Sequence, residues 1–253
     1  MNHLDPEKQL RPSEGQCKLI VVQDQLQVCP YLESTTARMP LRLPVGDVTP
    51  QITDQLLAAG YRRSGDFVYR TQCPSCTECK PTRIEISQFK MTSSMRRVLK
   101  RGDRDLSITW AAPVITQPRI DMFNRHRGER SLGNGERVDA SSYGAFLVDS
   151  CCDTQELSVF LQDQLIAVAV IDVGETSISA VYTHFDPDHA RYSLGTYAIL
   201  KQIQWAQETG RTYVYLGMYV ADNSHLNYKA RFGPQQRLCD GQWTDIQLSL
   251  IHI

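Results

Sequence analysis

Three consecutive β-strand patterns in the second half of the chain restrict its fold more than any other feature of the sequence. Residues 156–162, 165–173 and 176–184 are rich in Val, Ile, Leu and Thr, which favour strands. Asp163-Gln164 joins the first two runs and Gly174-Glu175 joins the last two, and both connections have hairpin length. Strands joined in this way run in opposite directions, so the sequence predicts an antiparallel meander.

A helical pattern follows the meander. Apolar residues recur at helical spacing within residues 193–210, and Gly210 suits the left-handed position that ends many helices. Residues 211–216 then predict a strand, residues 223–232 a second helix, and residues 236–243 a final strand. The predicted order is therefore antiparallel meander, helix, strand, helix, strand, which is an α+β fold.

This order is similar to the core of GNAT-type acyltransferases, in which the loop before the central helix faces the acyl donor. The corresponding loop here is Arg191-Tyr192-Ser193-Leu194-Gly195-Thr196. Backbone amides at a helix start can hold an anion or an ester oxygen without a charged side chain. A helix cap followed by a closely packed glycine is the alternative interpretation of these residues.

The first half of the chain is less regular. Residues 19–28 predict a strand or a hairpin, and Thr49-Pro50 begins a short helix that ends at Gly60. Residues 61–70 predict two strands around a turn, and residues 82–87 predict another. The first half is thus expected to be an α/β unit that contains a cysteine cluster, with a second GNAT-like unit as the alternative.

Two prolines suggest a division of the chain. Pro113 and Pro118 separate an N-terminal domain at residues 15–110 from a C-terminal domain at residues 111–253. One fused core is the alternative.

Four cysteines are spaced for a shared site. Cys73, Cys76 and Cys79 stand three residues apart, and Cys29 lies upstream in the sequence Cys-Pro-Tyr-Leu. Four thiolates suffice for tetrahedral zinc or for an iron–sulfur cluster, so a metal site is predicted at these residues. Reduced thiols that pack a tight loop are the alternative.

The sequence contains no visible signal peptide or membrane span. The first twenty residues lack an apolar run flanked by basic residues, and no window approaches the roughly 20 apolar residues that cross a bilayer. We therefore expect a cytoplasmic protein without membrane partners, in which clustered thiols bind metal or stay free. The sequence does not indicate an oligomeric state.

The segment from Lys90 to Arg104 is strongly basic, although the net charge of the whole chain is −1. It contains six basic residues and one acidic residue, with apolar residues at helical spacing. The basic residues predicted to project outward are Arg96, Arg97, Lys100 and Arg101. A phosphate backbone suits several spaced cations, and a solvated helix face is the alternative.

Several motifs along the chain occur together in one known family. They are Cys-Pro-Tyr-Leu at 29–32, Gly-Tyr-Arg-Arg-Ser-Gly at 60–65, the cysteine run at 73–79, Ser-Leu-Gly-Thr-Tyr at 193–197, Tyr-Leu-Gly at 215–217 and Tyr-Lys at 228–229. In order and spacing they resemble the bacterial aspartate/glutamate leucyltransferases, within the wider arginyl-tRNA-protein transferase family. The resemblance implies transfer of leucine from leucyl-tRNA to the N-terminal amine of proteins that begin with Asp or Glu, which marks them for degradation.

The chain departs from that family after Tyr-Leu-Gly. Where an aromatic pair and then a cysteine are expected, it has Met218-Tyr219-Val220 and Asn223-Ser224-His225. Because this region is expected to flank the donor pocket, arginyl-tRNA stays open as an alternative donor.

The implied reaction needs no cofactor, because an aminoacyl-tRNA is already an activated ester. Positioning an amine against the ester carbonyl contributes about 7–11 kcal/mol in favourable cases. The Gly195 and Thr196 amides and the Tyr182 hydroxyl are candidates to stabilise the oxyanion. Tyr228 and Lys229 are candidates to relay the amine proton or to contact the terminal adenosine. A core ring beside a solvated amine is the alternative for this last pair.

Recognition of an acidic N-terminus requires a cation, and Arg62, Arg63 and the nearby Ser64 are the candidates. Adjacent strand residues face opposite ways, so at most one of the two arginines is expected to line the acceptor pocket. A structural ion pair is the alternative role for one of them. The four outward basic residues of the segment from Lys90 to Arg104 are better placed to bind the tRNA backbone.

Two other functional classes fit parts of the sequence. An acetyl-CoA-dependent acetyltransferase could use the same fold, but it needs a pyrophosphate loop richer in Gly and Arg than residues 191–196. A zinc-ribbon module that binds nucleic acid would explain the cysteines and the basic segment, yet it leaves the second half of the chain without a role.

Overall fold

The computed structural model describes residues 17–132 and 135–246. In chain order its strands are β1 (Lys18–Gln23), β2 (Leu26–Val28), β3 (Thr36–Arg38), β4 (Leu41–Val45), β5 (Arg62–Ser64), β6 (Phe67–Tyr69), β7 (Lys80–Glu85), β8 (Leu106–Ala111), β9 (Thr154–Leu161), β10 (Gln164–Val173), β11 (Ser177–Phe185), β12 (Tyr213–Tyr219), β13 (Gln235–Cys239) and β14 (Gln242–Ile246). Its α-helices are α1 (Pro50–Ala58), α2 (Ser93–Asp105), α3 (Gln117–Glu129), α4 (Ala140–Tyr143), α5 (Leu194–Glu208) and α6 (Ser224–Asn227). None of these helices combines the length and hydrophobicity that crossing a bilayer requires.

The main sheet has eight strands in the order β14-β13-β7-β12-β11-β10-β9-β8. Strands β9, β10 and β11 pair antiparallel, as the predicted meander requires. Helix α5 then leads to β12, which pairs parallel to β11. The predicted α+β class and GNAT-like order of elements are confirmed.

Two predictions near the C-terminus are wrong in detail. The single final strand expected at residues 236–243 is a hairpin of β13 and β14, with Asp240 and Gly241 at positive φ in the turn. Asp-Gly is a favoured pair for such a turn, so the sequence did contain this signal. The helix expected at residues 223–232 is only α6 followed by a 3₁₀ turn at Tyr228–Arg231.

Strands from both sides of residue 110 share the main sheet. Strand β7 lies between β12 and β13, and β8 forms the edge beside β9. The predicted division into residues 15–110 and 111–253 therefore does not separate two sheets, and residues 15, 16 and 247–253 lie outside the described residues. A smaller sheet is formed by strands from the first 70 residues in the order β1-β4-β6-β5, and all its strand pairs are antiparallel. It therefore lacks the parallel strand after a helix that a second GNAT-like unit would contain.

Capping threonines set the start of two helices, and the one at Thr49 was predicted. The Thr49 hydroxyl accepts a hydrogen bond from the Ile52 amide at 3.4 Å at the start of α1, and Gly60 follows its end with φ +84°. The Thr92 hydroxyl accepts from the Met95 amide at 3.2 Å at the start of α2. These bonds satisfy amides that have no partner inside the helix.

The core lies on both faces of the main sheet, because the central strand β10 is apolar along nearly its whole length. Ala167, Ala169 and Ile171 belong to the cluster under α2 and α5, and Val168 and Val170 belong to the cluster under α3. Alternate residues of a strand point to opposite faces, so a strand covered on both sides has few positions left for polar residues.

Helices α2 and α5 cross with very little space between them. Gly102 of α2 lies against the ring of Tyr197, and a β-carbon on residue 102 would lie 2.2 Å from that ring. The Tyr197 hydroxyl donates to Asp103 at 2.9 Å. Any larger residue at position 102 would push the helices apart, so this contact fixes α2 relative to α5.

Candidate active site

A wedge-shaped opening forms where the parallel strands β11 and β12 separate. The two strands pair only over Ser177–Ser179 and Tyr213–Tyr215, and each then continues with its outer neighbour, β10 or β7. Bulges at Val181 and Leu216 interrupt the register where the strands diverge. A cavity of about 980 Å³ lies between them. We call this cavity the wedge pocket.

The N-terminus of α5 forms one side of the wedge pocket. Ser193 precedes the helix in a left-handed conformation, with φ 52°, and its side chain makes no capping hydrogen bond. The first intrahelical bond runs from the Tyr197 amide to the Ser193 carbonyl, so the amides of Gly195 and Thr196 have no acceptor inside the helix. Both residues line the pocket, where these amides can bind an ester oxygen.

Arg63 forms a buried ion pair. Its Nε donates to the Asp172 carboxylate at 2.7 Å, and its Nη1 donates to the Asp149 carbonyl at 3.0 Å. The Arg63 and Asp172 side chains are 1% and 3% exposed. Arg63 is therefore the arginine with the structural role, although it also borders the wedge pocket.

Arg62 lies on the other face of β5 at the closed end of the wedge pocket. Its guanidinium donates to the Ser179 hydroxyl at 2.8 Å and to the Ala180 carbonyl at 2.6 Å. Both partners are neutral, and burial lowers the pKa of the guanidinium. Arg62 is thus a buried cation held by neutral acceptors, and Ser64 lines the pocket beside it.

Lys229 lies at the same closed end, and its amine is buried rather than solvated. The amine donates to the Met218 carbonyl at 2.6 Å. Burial first, and the charge of Arg62 second, lower the pKa of Lys229 to about 7. Tyr228 lines the pocket next to it, and burial raises the pKa of its phenol, which is neutral at physiological pH.

Aromatic side chains form the opposite wall of the wedge pocket. Tyr182 packs against Phe123 and Phe146 with ring centroids 5.4 and 5.5 Å apart. The Phe185 amide donates to His126 Nδ1 at 3.4 Å, which leaves the proton of a neutral imidazole on Nε2. Burial lowers the pKa of His126 to about 4, so the ring is neutral at physiological pH.

The described residues that line the wedge pocket carry basic groups and no carboxylate. The basic ones are Arg62, Arg63, Arg127, Arg130, Arg231 and Lys229. Such a lining favours anionic substrates and disfavours a cationic one, because the interior of a pocket screens charge weakly.

The basic residues of α2 lie outside the wedge pocket. Arg96, Arg97, Lys100 and Arg101 are exposed, while Met95 and Leu99 face the core. Arg101 donates to the carbonyl of Arg191, three residues before α5 begins at Leu194. The exposed face of α2 is therefore connected directly to the side of the pocket that carries the free amides.

The four clustered cysteines do not form a metal site as arranged. Among the described residues, no group of three or more His, Cys, Asp or Glu side chains is placed to hold one ion. Burial, together with Cys29, Cys73 and Cys76, raises the pKa of Cys79 to about 12. Four thiols are enough for zinc or an iron–sulfur cluster, but in this arrangement they do not surround one point. A metal at these residues stays a prediction.

The wedge pocket brings together all the predicted acceptor and catalytic residues, namely Arg62, Arg63, Ser64, Tyr182, Gly195, Thr196, Tyr228 and Lys229. Sequence reasoning missed Phe123 and Phe146 of the aromatic wall, Gly217 and the partner of Arg63. Asp172 gave a signal, because a lone carboxylate in an apolar strand usually has a buried cationic partner. The aromatic residues gave none, since they lie on α3 and the π-helical turn at Gly144–Val148, far away in sequence.

The chain matches one family along most of its length. Residues 27–97 match "Arginine-tRNA-protein transferase, N terminus" and residues 118–239 match "Arginine-tRNA-protein transferase, C terminus". A curated relative from Acinetobacter baumannii, named aspartate/glutamate leucyltransferase, is 38% identical over 226 residues, which are 88% of this chain and 82% of the relative. One of the same name from Chromobacterium violaceum is 33% identical over 85% of this chain and 89% of its own. Among solved structures, L-PGS from Bacillus licheniformis has a TM-score of 0.45 at 13% identity, over 79% of this chain and 70% of its own.

Proposed function

The chain belongs to the arginine-tRNA-protein transferase family and is an aminoacyltransferase, and on that premise we propose that it transfers leucine from leucyl-tRNA to the N-terminal α-amine of proteins beginning with Asp or Glu. The observation that carries the proposal is a pocket with free helix amides on one side, buried cations at its closed end and no carboxylate among its described lining residues. The added leucine would mark the acceptor protein for degradation. Charged tRNA and nascent proteins are cytoplasmic, so the proposal places the enzyme there.

The pocket lining supports leucine rather than arginine as the donor amino acid. An arginyl group would need a carboxylate to pair with its guanidinium, and the charged side chains among the described lining residues are all cationic. A leucyl group needs apolar surface, which Phe123, Phe146 and Val138 provide beside Tyr182. The names of the relatives support the same donor.

The geometry supports direct attack of the acceptor amine on the ester. The ester carbonyl oxygen would face the Gly195 and Thr196 amides, with the Tyr182 hydroxyl as a further donor to the developing oxyanion. The amine nitrogen bonds to the carbonyl carbon, the bond from that carbon to the ribose oxygen breaks, and an amide forms. The amine nitrogen loses one proton and the ribose oxygen gains one. The Tyr228 phenol, which is neutral and lines the pocket, is the proposed relay for that proton.

The reaction is suited to a site without a strong base. An α-amine with a pKa of about 7.7 to 8 is roughly a tenth unprotonated at neutral pH. His126, neutral and held by the Phe185 amide, packs against Phe185 with ring centroids 4.4 Å apart and limits water near the ester. Positioning the two reactants is thus the main contribution of the protein.

Arg62 is the proposed reader of the acceptor carboxylate. It is buried, it lines the closed end of the pocket, and its hydrogen-bond partners are neutral. A neutral side chain in place of Asp or Glu would leave this cation without a counter-charge, which disfavours binding. The exposed basic face of α2 is the proposed surface for the tRNA backbone.

One assay tests the proposal and its alternatives together. Purified protein is incubated with a peptide that begins with Asp and with leucyl-tRNA, arginyl-tRNA or acetyl-CoA in separate reactions, and the peptide mass is measured. We expect addition of one leucine and no addition from the other donors. A matched peptide that begins with Asn is the control and should stay unmodified. Arginine addition would overturn the donor, and absence of any product would overturn the reaction.

A further inference from the structure

The closed end of the wedge pocket contains two buried cations that come from distant parts of the chain. Arg62 is on β5 and Lys229 is in the 3₁₀ turn after α6, and they are 9% and 7% exposed. Arg62 donates to Ser179, the last residue of β11 that pairs with β12, and to Ala180, the residue after it. Lys229 binds the Met218 carbonyl of the diverging β12. The two strands therefore each hold one cation at the point where they separate.

Gly217 brings the two cations to the same place. A β-carbon built on this residue would lie 3.3 Å from Arg62 Nη2 and 3.3 Å from Lys229 Nζ. The residue has φ +90° and sits beside the bulge in β12, so its backbone follows a path that glycine adopts most readily. Without a side chain at position 217, both nitrogens border one small space.

Neither cation has a carboxylate partner among the described residues. Arg62 donates to a hydroxyl and a carbonyl, and Lys229 donates to a single carbonyl. The charge of Asp172 acts on Arg62 as well, but the Asp172 carboxylate accepts its hydrogen bonds from Arg63 and Thr154. Two like charges buried side by side are unfavourable unless an anion joins them, because buried charges are normally paired.

We propose that Lys229 is a second specificity residue, and that the side-chain carboxylate of the acceptor N-terminus binds between Lys229 and Arg62 beside Gly217. This inference rests on the proposed function and assigns Lys229 to recognition of the acceptor rather than to proton relay or to the adenosine. An acidic side chain neutralises two buried cations at once, whereas an amide or apolar side chain leaves both unpaired. A pair of cations therefore discriminates more strongly than Arg62 alone.

The test replaces the Lys229 charge and follows selectivity rather than rate alone. Lys229→Met and the polar variant Lys229→Gln are assayed with leucyl-tRNA and two peptides that differ only in a first residue of Asp or Asn. We expect kcat/KM for the Asp peptide to fall about 100-fold, while the Asn peptide changes little, so that the ratio of the two falls. Affinity for leucyl-tRNA should stay within about twofold, because the basic face of α2 is intact.

Lys201→Met is the matched control. Lys201 is a partly buried lysine with one polar partner, Asp103, and it does not line the wedge pocket. The Lys201→Met variant should keep the wild-type ratio of kcat/KM for the Asp peptide to kcat/KM for the Asn peptide. Melting temperatures of all variants show whether each is folded, and calorimetric titration with the Asp peptide alone measures acceptor binding without turnover.

The outcomes separate this inference from the proposed function. If both Lys229 variants fold and keep the wild-type ratio, or if they lose rate equally on both peptides with unchanged peptide affinity, Lys229 does not read the carboxylate. If the wild-type protein adds no leucine to the Asp peptide but binds it more tightly than the Asn peptide, recognition of the carboxylate by the cation pair is supported and the proposed reaction is overturned. If it neither reacts with nor binds the Asp peptide, the proposed function and the inference on Lys229 are both overturned.

Discussion

The cations at the closed end of the wedge pocket differ from those on α2 in burial, spacing and partners. Arg62 and Lys229 are buried, converge on Gly217 and donate only to neutral acceptors among the described residues. Arg96, Arg97, Lys100 and Arg101 are exposed and spread along one helix face. Buried charges that converge can discriminate a single functional group, whereas exposed charges in a row give affinity that depends on salt and little on sequence.

Arg63 gives an internal reference for this comparison. It is as buried as Arg62 and precedes the same turn, yet it is paired with Asp172 at 2.7 Å. A buried cation with a carboxylate belongs to the fold, and a buried cation without one is available to a ligand. On the proposed function, the adjacent arginines therefore separate stability from recognition within one strand.

The largest expected effect comes from removing the Arg62 charge. Arg62→Met should lower kcat/KM for a peptide that begins with Asp by about 1,000-fold, because the carboxylate loses its buried partner. The melting temperature should change little, because removing a buried cation without a hydrogen-bonded carboxylate offsets the loss of its bonds to Ser179 and Ala180. Steady-state kinetics and thermal unfolding check the two parts, and a large loss of stability would place Arg62 in the structural class with Arg63.

Breaking the Arg63 ion pair should instead reduce stability. Asp172→Asn leaves the Arg63 guanidinium buried without its counter-charge and should lower the free energy of unfolding by about 3–5 kcal/mol. Urea unfolding followed by circular dichroism measures this change. The double variant Arg63→Met/Asp172→Leu should lose less than the single one, because it removes both charges together.

Removing the exposed charges of α2 should affect tRNA binding alone. The combined change of Arg96, Arg97, Lys100 and Arg101 to Ala should weaken tRNA binding about 100-fold at low salt and reduce the slope of log K against log salt by about 3 to 4. Fluorescence titration at several salt concentrations gives both values. KM for the acceptor peptide should not change, and a changed KM would mean that the two cation groups are not independent.

The smallest expected effect is a pH dependence of acceptor binding. Lys229, with a pKa of about 7, is charged below that pH and neutral above it, so KM for an Asp peptide should rise as pH increases, by about tenfold per unit above the pKa. Of the groups that face the amine, Arg62 stays charged, and the thiol of Cys79, with its pKa raised to about 12, stays neutral. The Tyr228 ring lies 6.0 Å away.

Lys229→Arg keeps its charge across this range and should give a flat KM profile. A flat profile in the wild-type protein would remove Lys229 from the acceptor site. The rate constant kcat is followed in parallel, because the α-amine of the peptide titrates with a pKa of about 7.7 to 8 and changes kcat separately.

Local patterns predicted much of the fold, and distant pairings did not follow from them. The meander and the ends of α1 depend on neighbouring residues, so runs of β-branched residues and caps were sufficient. The place of β7 depends on pairs such as Thr82 with Gly217 and with Arg237, which no local pattern encodes. The wrong single strand at residues 236–243 is different, since its Asp-Gly turn is a local signal.

The predicted site was located by motifs, whereas its electrostatics came only from the structure. Tyr-Lys at 228–229 suggested a solvated amine, but the short turn at Tyr228–Arg231 directs Lys229 toward Met218 and buries it. Burial depends on what packs above a residue, which the sequence of one turn does not specify. The choice between Arg62 and Arg63 likewise depended on Asp172, which is more than 100 positions away along the chain.

The close crossing of α2 and α5 at Gly102 has a consequence for the length of the donor molecule. Because Tyr197 leaves no slack at this contact, the separation between the basic helix face and the free amides of α5 is constant. A tRNA gripped on α2 can present its ester to those amides only when its single-stranded 3′ end spans that separation. Donors extended or trimmed by one nucleotide should therefore bind normally and react slowly.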